Sequence, residues 1–292
     1  MQFSLSHLTY YQYSESVSES VNDVRLCPVS DDFQICHYFD LKINPPCRVI
    51  MRQLDFYINQ VQHFEIIQPH QSLSVEAIST VETFEDIRNF SVFSDPQSLT
   101  DLKFSERYYD FLSPSERVHI LPMVIHDSRE IFPNGFGDVQ GAVLTIMQFI
   151  YDGFVYDPQA TAVETQFQEM YFGRRGVCQD FAHAMLALCR SIQIPARYVS
   201  GYFYLDQKDE TTKVDNAQSH AWVECFLPGI GWVGYDPTHN RRVDATYIKV
   251  AIGRDYSDVR PLSGTFRGAV TAQLEVKVQV NQLDGDFVLS QS

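Results

Sequence analysis

Cys178, His220 and Asp236 occur in that order along the chain, and they are the residue types needed to make and break an acyl bond through sulfur. Cys178 lies in GRRGVCQDFAHAMLALCR, residues 173–190, just after Gly176 and at the head of a run with helical periodicity. The unpaired N–H groups of a helix's first turn, and the positive end of its dipole, stabilise negative charge there. A thiol so placed is expected to ionise more readily than a free one, and Arg174 and Arg175 add to the effect. Most free cysteines are simply small buried apolar side chains. A cysteine that only packs belongs in the middle of a helix, as Cys189 does. Cys178 and Cys189 are eleven residues apart on nearly the same face, a rise of about 16 Å that forbids a disulfide between them.

A thiolate nucleophile works best beside an imidazole that can hold and deliver a proton. The downstream candidates are His220, in SHAWVEC, and His239, in DPTHN. Strand alternation puts His220, Trp222 and Glu224 on one face and Ala221, Val223 and Cys225 on the other. A strand fixes a ring more rigidly than a turn does. His220 is therefore preferred, and His239 reads as an ordinary solvated turn histidine. The imidazole needs an acceptor for its second nitrogen. Asp236 closes GWVGYD, and the tight turn PGIG at 228–231 makes that strand an antiparallel neighbour of the one bearing His220. Counting outward from residue 229, His220 and Asp236 are nine and seven residues away, close enough to face each other. Taken alone, Asp236 before Pro237 is an Asx turn. The set of three is what points to chemistry. His7, His37, His63 and His70 are scattered and read as surface or satisfied histidines.

These residues need a helix, a pair of strands and a frame to hold them. The helix is legible: Phe181, Met185, Leu188 and Ile192 form one apolar row, with Ala182, Leu186 and Cys189 beside it. A helix apolar over that much of its circumference lies inside a domain. It stops at Gln193-Ile194-Pro195, and ARYVSGYFYL, SHAWVECFLP and GWVGYDP follow as strands. The polar stretch 206–218 reads as an exposed hairpin loop between two of them. DVQGAVLTIMQFIYD at 138–152 is a second helix with Asp138 as N-cap. GFVYDP is a short extended piece, and 159–172 is weakly helical. Residues 1–83 alternate apolar and polar with many aromatic and β-branched side chains, which predicts an antiparallel β-sandwich. Residues 84–135 form a linker with helices expected at 97–111 and 115–130. Residues 136–262 form the catalytic core. Residues 263–292 add one or two strands, to the sandwich or to the main sheet, and a tail. The fold class is α+β.

The chain has 292 residues, 45% hydrophobic and 20% charged, enough to bury a core without disulfide staples. Its net charge of −15 repels phosphate, so neither nucleic acid nor docking on anionic lipid by charge is expected. No apolar run approaches the ~20 residues of a membrane helix, and MQFSLSHLTYYQYSES lacks the features of a signal peptide. A cytoplasmic location is the expectation. The six cysteines, Cys27, Cys36, Cys47, Cys178, Cys189 and Cys225, are irregularly spaced, with no C-x-x-C pair. In a reducing compartment they are expected as free thiols. Without a C-x-x-C pair zinc is not predicted, and without a D-x-D-x-D-G loop neither is calcium; no other cofactor is expected. A metal centre on His220, His239 and cysteines is the weakest reading.

Two stretches, GVCQDFAHAMLALCRSIQIPARYVSGY and HAWVECFLPGIGWVGYDPT, resemble the transglutaminase-like superfamily, whose core is similar to that of papain-type cysteine proteases. The resemblance is to its bacterial branch. It extends to HLTYYQYSESVSESVNDVRLCP, in the β-rich domain that precedes the core there, and to IGRDYSDVRPLSGTFRG, so it covers nearly the whole chain. It implies Cys178 as nucleophile, His220 as general base and Asp236 as the residue that orients the ring. Gln193 departs from the pattern, standing where a glycine is usual. The implied activity is amide-bond cleavage or acyl transfer on a peptide or protein, through a thioester on Cys178. An oxyanion hole would take the Cys178 backbone N–H as first donor, with Gln179, Trp222 and Tyr156 as candidates for the second. Asp180 reads as a first-turn carboxylate favourable to the helix dipole, His183 as a core residue, and Trp222 and Tyr235 as core aromatics. The competing expectation is a non-catalytic binding module that keeps the fold; three intact residues favour the enzyme. Substrate identity and oligomeric state are left open.

Overall fold

Strand β1 (Gln2–Val17) buries every second side chain from Phe3 to Thr9, the period that sets one face of a strand against a core. The computed structural model describes residues 1–88, 90–160, 165–205, 219–268 and 270–283. Five further strands follow β1: β2 (Ser20–Val24), β3 (Gln34–Asn44), β4 (Ile50–Leu54), β5 (Gln60–Ile66) and β6 (His70–Thr83). They build two antiparallel sheets face to face over Tyr13, Val24, Leu41, Phe64, Leu73 and Val75. The C-terminal tail supplies two strands, one to each sheet. β14 (Leu262–Phe266) pairs with β2, and β15 (Ala272–Gln282) pairs with β1. The sheet orders are β14-β2-β5-β4 and β15-β1-β6-β3. β2 has no apolar alternation to announce it, because two of its inward positions are the buried polar residues Ser20 and Asn22, which bond each other.

Between sandwich and core lie α1 (Leu102–Arg107), α2 (Tyr109–Leu112) and α3 (Pro122–Ile131). The helix expected from residue 115 begins only at Pro122. Residues 115–118 instead close a tight turn, Ser115 N–H to Val118 O at 2.9 Å, pinned by Arg117 N–H to the Asp255 carboxylate at 2.8 Å. Proline then takes the first helical turn, where its missing N–H costs nothing. α4 (Val139–Gly153) starts at the expected cap, with the Asp138 carboxylate accepting from Gly141 N–H at 2.7 Å. After it come β7 (Val155–Tyr156), α5 (Phe167–Gly173), and β8 (Arg175–Gly176), which pairs parallel with β7.

The central helix α6 (Cys178–Ser191) is buried at every position from Asp180 to Arg190. One side packs on α3, α4 and α5, the other on an antiparallel sheet of order β12-β11-β10-β9-β13. These strands are β9 (Ala196–Phe203), β10 (Ser219–Leu227), β11 (Gly231–Asp236), β12 (Arg241–Arg242) and β13 (Tyr247–Gly253). The expected hairpin loop at 206–218 lies outside the described residues. α6 ends in a Schellman turn, Ile194 N–H to Cys189 O at 2.9 Å, with Gln193 at φ 63°. That left-handed position favours glycine, which accounts for the glycine implied there by the resemblance. Among the described residues, no helix is long and apolar enough to cross a membrane.

The sandwich covers the open edge of the core sheet with side-chain amides. Gln34 accepts from Lys249 N–H at 2.7 Å and donates to Lys249 O at 2.8 Å. Asn59 does the same for Ile252, at 2.8 and 2.7 Å. Each primary amide stands in for one peptide of a missing neighbour strand, so β13 does not present an unpaired ladder there.

Candidate active site

The head of α6 is shaped by Asp180. Its carboxylate reaches back to accept from Val177 N–H at 2.9 Å, while Val177 O accepts from Asp180 N–H at 2.9 Å and Phe181 N–H at 3.1 Å. A side chain at 176 would put its Cβ 2.2 Å from that carboxylate, so the tight entry depends on Gly176. Cys178, half-buried, is the first helical residue, and Gln179 is the second. Among the described residues, neither backbone N–H donates to a protein acceptor. They are the orphan donors of a helix start, placed beside the sulfur. Tyr156 stands opposite Gly176 in the β7–β8 pair, half-buried, with its ring 6.3 Å from that of Phe181.

His220 opens β10. The β10–β11 register pairs Val223 with Tyr235, and one more step puts Asp236 across from Trp222. Asp236 is then the diagonal, same-face neighbour of His220, within reach across an antiparallel pair. The structure brings the two together: His220 Nε2 lies 2.7 Å from Asp236 Oδ2, both side chains almost wholly buried. The other oxygen, Oδ1, accepts from Thr238 N–H at 2.8 Å and His239 N–H at 3.3 Å. The Asx turn and the contact with the ring, rivals on the sequence, coexist on the two oxygens of one carboxylate.

His239 is not the solvated residue that its turn suggested. Its side chain is 9% exposed, and its Nδ1 lies 2.7 Å from the same Asp236 Oδ2. Tyr247, at the start of β13, donates its hydroxyl to that oxygen at 2.7 Å as well. Neither partner was found from the sequence. Tyr247 becomes visible only when β13 is paired to β9, which sets Tyr247 beside Phe203. His220, Asp236 and His239 offer ligand atoms within 4.8 Å of one another, as a metal site would. The Asp236 oxygen, however, already occupies the point between the two rings, so the cluster is closed by hydrogen bonds and is not an open coordination shell.

Burial alone would make the His220 ring harder to charge. The charge and hydrogen bond of Asp236, then the hydrogen bond and charge of Cys178, outweigh it and raise the ring's pKa to about 10. With Nε2 on Asp236, the nitrogen left to share a proton with the sulfur is Nδ1. Burial pushes the Asp236 carboxyl up, but the two imidazoles hold it well below the usual carboxylate range. Trp222 packs along the same face, its ring 6.4 Å from that of His220. It lines a cavity of about 60 Å³ between sandwich and sheet together with Glu224 and Lys249, and its buried Nε1 has no partner among the described residues. Tyr235 lies in the core. His183 is buried too; its Nε2 accepts from Tyr256 N–H at 3.2 Å, and burial lowers its pKa to about 3.

Known proteins resemble this chain. Residues 133–237 match the family model of the transglutaminase-like superfamily, and residues 3–82 that of the bacterial transglutaminase-like N-terminal region. An uncharacterised protein of Mycobacterium leprae is 32% identical over 279 residues, spanning 95% of this chain and 97% of its own. A protein-glutamine gamma-glutamyltransferase of Pseudomonas aeruginosa is 34% identical over 105 residues, 34% of this chain and 16% of its own. A crystal structure from Cytophaga hutchinsonii, of a protein proposed to be a cysteine protease, shares the fold. Its TM-score is 0.79 at 24% identity, over 99% of this chain and 92% of its own.

Proposed function

This chain belongs to the transglutaminase-like superfamily, and we propose that it is a cysteine-dependent amide-bond enzyme acting on a peptide or protein. The observation that carries the reading is the buried His220–Asp236 pair at 2.7 Å; the upward pull of Cys178 on the same ring supports it. A buried imidazole held by a carboxylate on one nitrogen and met by a thiol on the other is the arrangement an acyl transfer through sulfur requires.

The steps follow from that geometry. Asp236 fixes the ring with Nε2–H toward the carboxylate. Nδ1 takes the Cys178 proton, giving a thiolate and an imidazolium. The sulfur attacks the amide carbonyl, forming the C–S bond and placing charge on oxygen. The free N–H groups of Cys178 and Gln179 are the donors best placed to receive that charge. The C–N bond then breaks, and His220 Nδ1 gives its proton to the departing amine. A thioester remains. Water, deprotonated by the same nitrogen, attacks it; the C–O bond forms, the C–S bond breaks, and the acid and the starting pair are released. An amine in place of water gives the transferred amide.

Alkylation with iodoacetamide near neutral pH, followed by mass-spectrometric mapping, tests the first step. Cys178 is expected to label much faster than Cys47, which is also half-buried. Labelling no faster than at Cys47 would overturn the reading and leave a binding module with the same fold. Incubation with a library of peptide and isopeptide amides should then trap an acyl group on Cys178.

A further inference from the structure

Asp236 Oδ2 is shared among His220 Nε2, His239 Nδ1 and the Tyr247 hydroxyl, each at 2.7 Å, while Oδ1 takes two backbone N–H groups. A carboxylate has about four lone-pair sites, so the donors outnumber them. Its charge is divided, and His220 receives only part of it. We propose that His239 is a positioning residue: by donating its Nδ1 hydrogen to the oxygen that holds His220, it sets how firmly His220 keeps its proton. This inference rests on the amide-bond reading above and deepens it.

The ring of His239 is built into the site. It lies 4.9 Å from the ring of Phe203 and 5.1 Å from that of His220, and its own backbone N–H also reaches Asp236. Its Nε2 is buried and has no partner among the described residues. Nδ1 carries the hydrogen that it gives to the carboxylate, and Nε2 faces into the protein. A histidine retained for solubility would turn that nitrogen to water. The other titratable or charged groups around the pair are Cys178 from α6, Tyr247 from β13, and Arg241 and Asp244 from the β12 region. None of these donates to Asp236 except Tyr247.

The chemistry explains why such sharing is useful. His220 must hold a proton while the thiolate attacks and then release it to the leaving amine. A carboxylate engaged by His220 alone would make the imidazolium too weak an acid for the second task. A second imidazole and a phenol, drawing on the same oxygen, moderate that hold.

The test follows His220 by NMR in the full-length protein with ring-labelled histidine, its signal assigned through His220→Gln. In His239→Phe the apparent pKa of His220 is expected to rise by about one unit, the size of shift one neighbouring donor produces. Tyr247→Phe should move it in the same direction. His239→Asn places an amide N–H where Nδ1 stands and should restore the wild-type titration. His239→Gln, whose amide reaches the Nε2 position, should not. Should the Phe variant fail to fold, the Asn and Gln variants decide the matter. No rise in His239→Phe, or in His239→Gln where that stands in, overturns the proposal, as does Asn failing to restore it. Alkylation of Cys178 in the same wild-type sample keeps the two ideas apart. An unreactive Cys178 defeats the amide-bond reading, whereas the His220 titration judges His239 in either case.

Discussion

Two buried carboxylates meet the face of the core sheet that carries His220, and they are held in opposite ways. Asp236 is bonded by His220, His239 and Tyr247, groups that can take up or release a proton. Glu224, two pairs of residues along β10 from His220, is bonded by Arg197 Nε at 2.7 Å and Lys249 Nζ at 2.7 Å, and Lys249 also meets Asp31 at 2.8 Å. Burial would raise the Glu224 carboxyl, but the Arg197 and Lys249 charges bring it down to about 2. Arginine stays charged throughout the working pH range, and Lys249 is held in its charged form by Glu224 and Asp31. The Glu224 cluster is thus a fixed strut that ties the sandwich to the sheet, while the Asp236 cluster is built from groups able to exchange protons. A buried, strongly shifted carboxylate is not a functional marker by itself; the type of its partners decides.

Substitutions can break this contrast in order of expected effect. Cys178→Ala should abolish acyl-enzyme formation, as judged by mass spectrometry, and change unfolding free energy by less than about 1 kcal/mol. Asp236→Asn should slow turnover by about 10³- to 10⁴-fold, because an amide in that place favours the wrong ring tautomer. Full rate in that variant would remove the orienting role. Glu224→Ala should instead cost about 3–5 kcal/mol of stability in denaturant titration, leaving Arg197 without a carboxylate and Lys249 with Asp31 alone. The rate of Cys178 alkylation in its folded fraction should be unchanged; a large drop would show that the strut takes part in the chemistry.

The pH dependence sharpens the same comparison. His220 is raised from 6.5 to about 10. Its contribution to stability is therefore complete below 6.5 and is lost as pH climbs through about 10. Glu224 is depressed from 4.5 to about 2, so its contribution is present above 4.5 and is lost as pH falls through about 2. Melting temperatures should accordingly fall at both extremes, and His220→Gln should flatten the alkaline side and, because His220 also holds the Asp236 carboxyl down, part of the acid side. The smallest effect is at the end of α6. Gln193→Gly should stabilise the fold by about 1 kcal/mol, since only glycine enters the left-handed region without steric cost, and a calorimetric scan would register it.

What could be read in advance depended on how local the signal was. The burial of α6 and the common face of His220, Trp222 and Glu224 follow from fixed periods of helix and strand, and the residues display them. The nearness of His220 and Asp236 followed from one short turn at 228–231. The partners of Glu224 were hidden, since Arg197 and Lys249 arrive on β9 and β13 through sheet register. His239 was misread for a related reason: a turn looks solvated when the side chain beneath it is not in view. β2 escaped because two of its inward positions are polar, and the start of α3 was misplaced because Asp255, far along the chain, anchors the preceding turn.

The two amides that Gln34 and Asn59 lay along β13 bear on any attempt to isolate the core. Cut away from residues 1–83, that margin would become an adhesive seam, free to recruit a strand from another molecule. Production of residues 84–262 alone should therefore yield self-associating material, and the sandwich acts as the selvedge that keeps the sheet from unravelling into its neighbours.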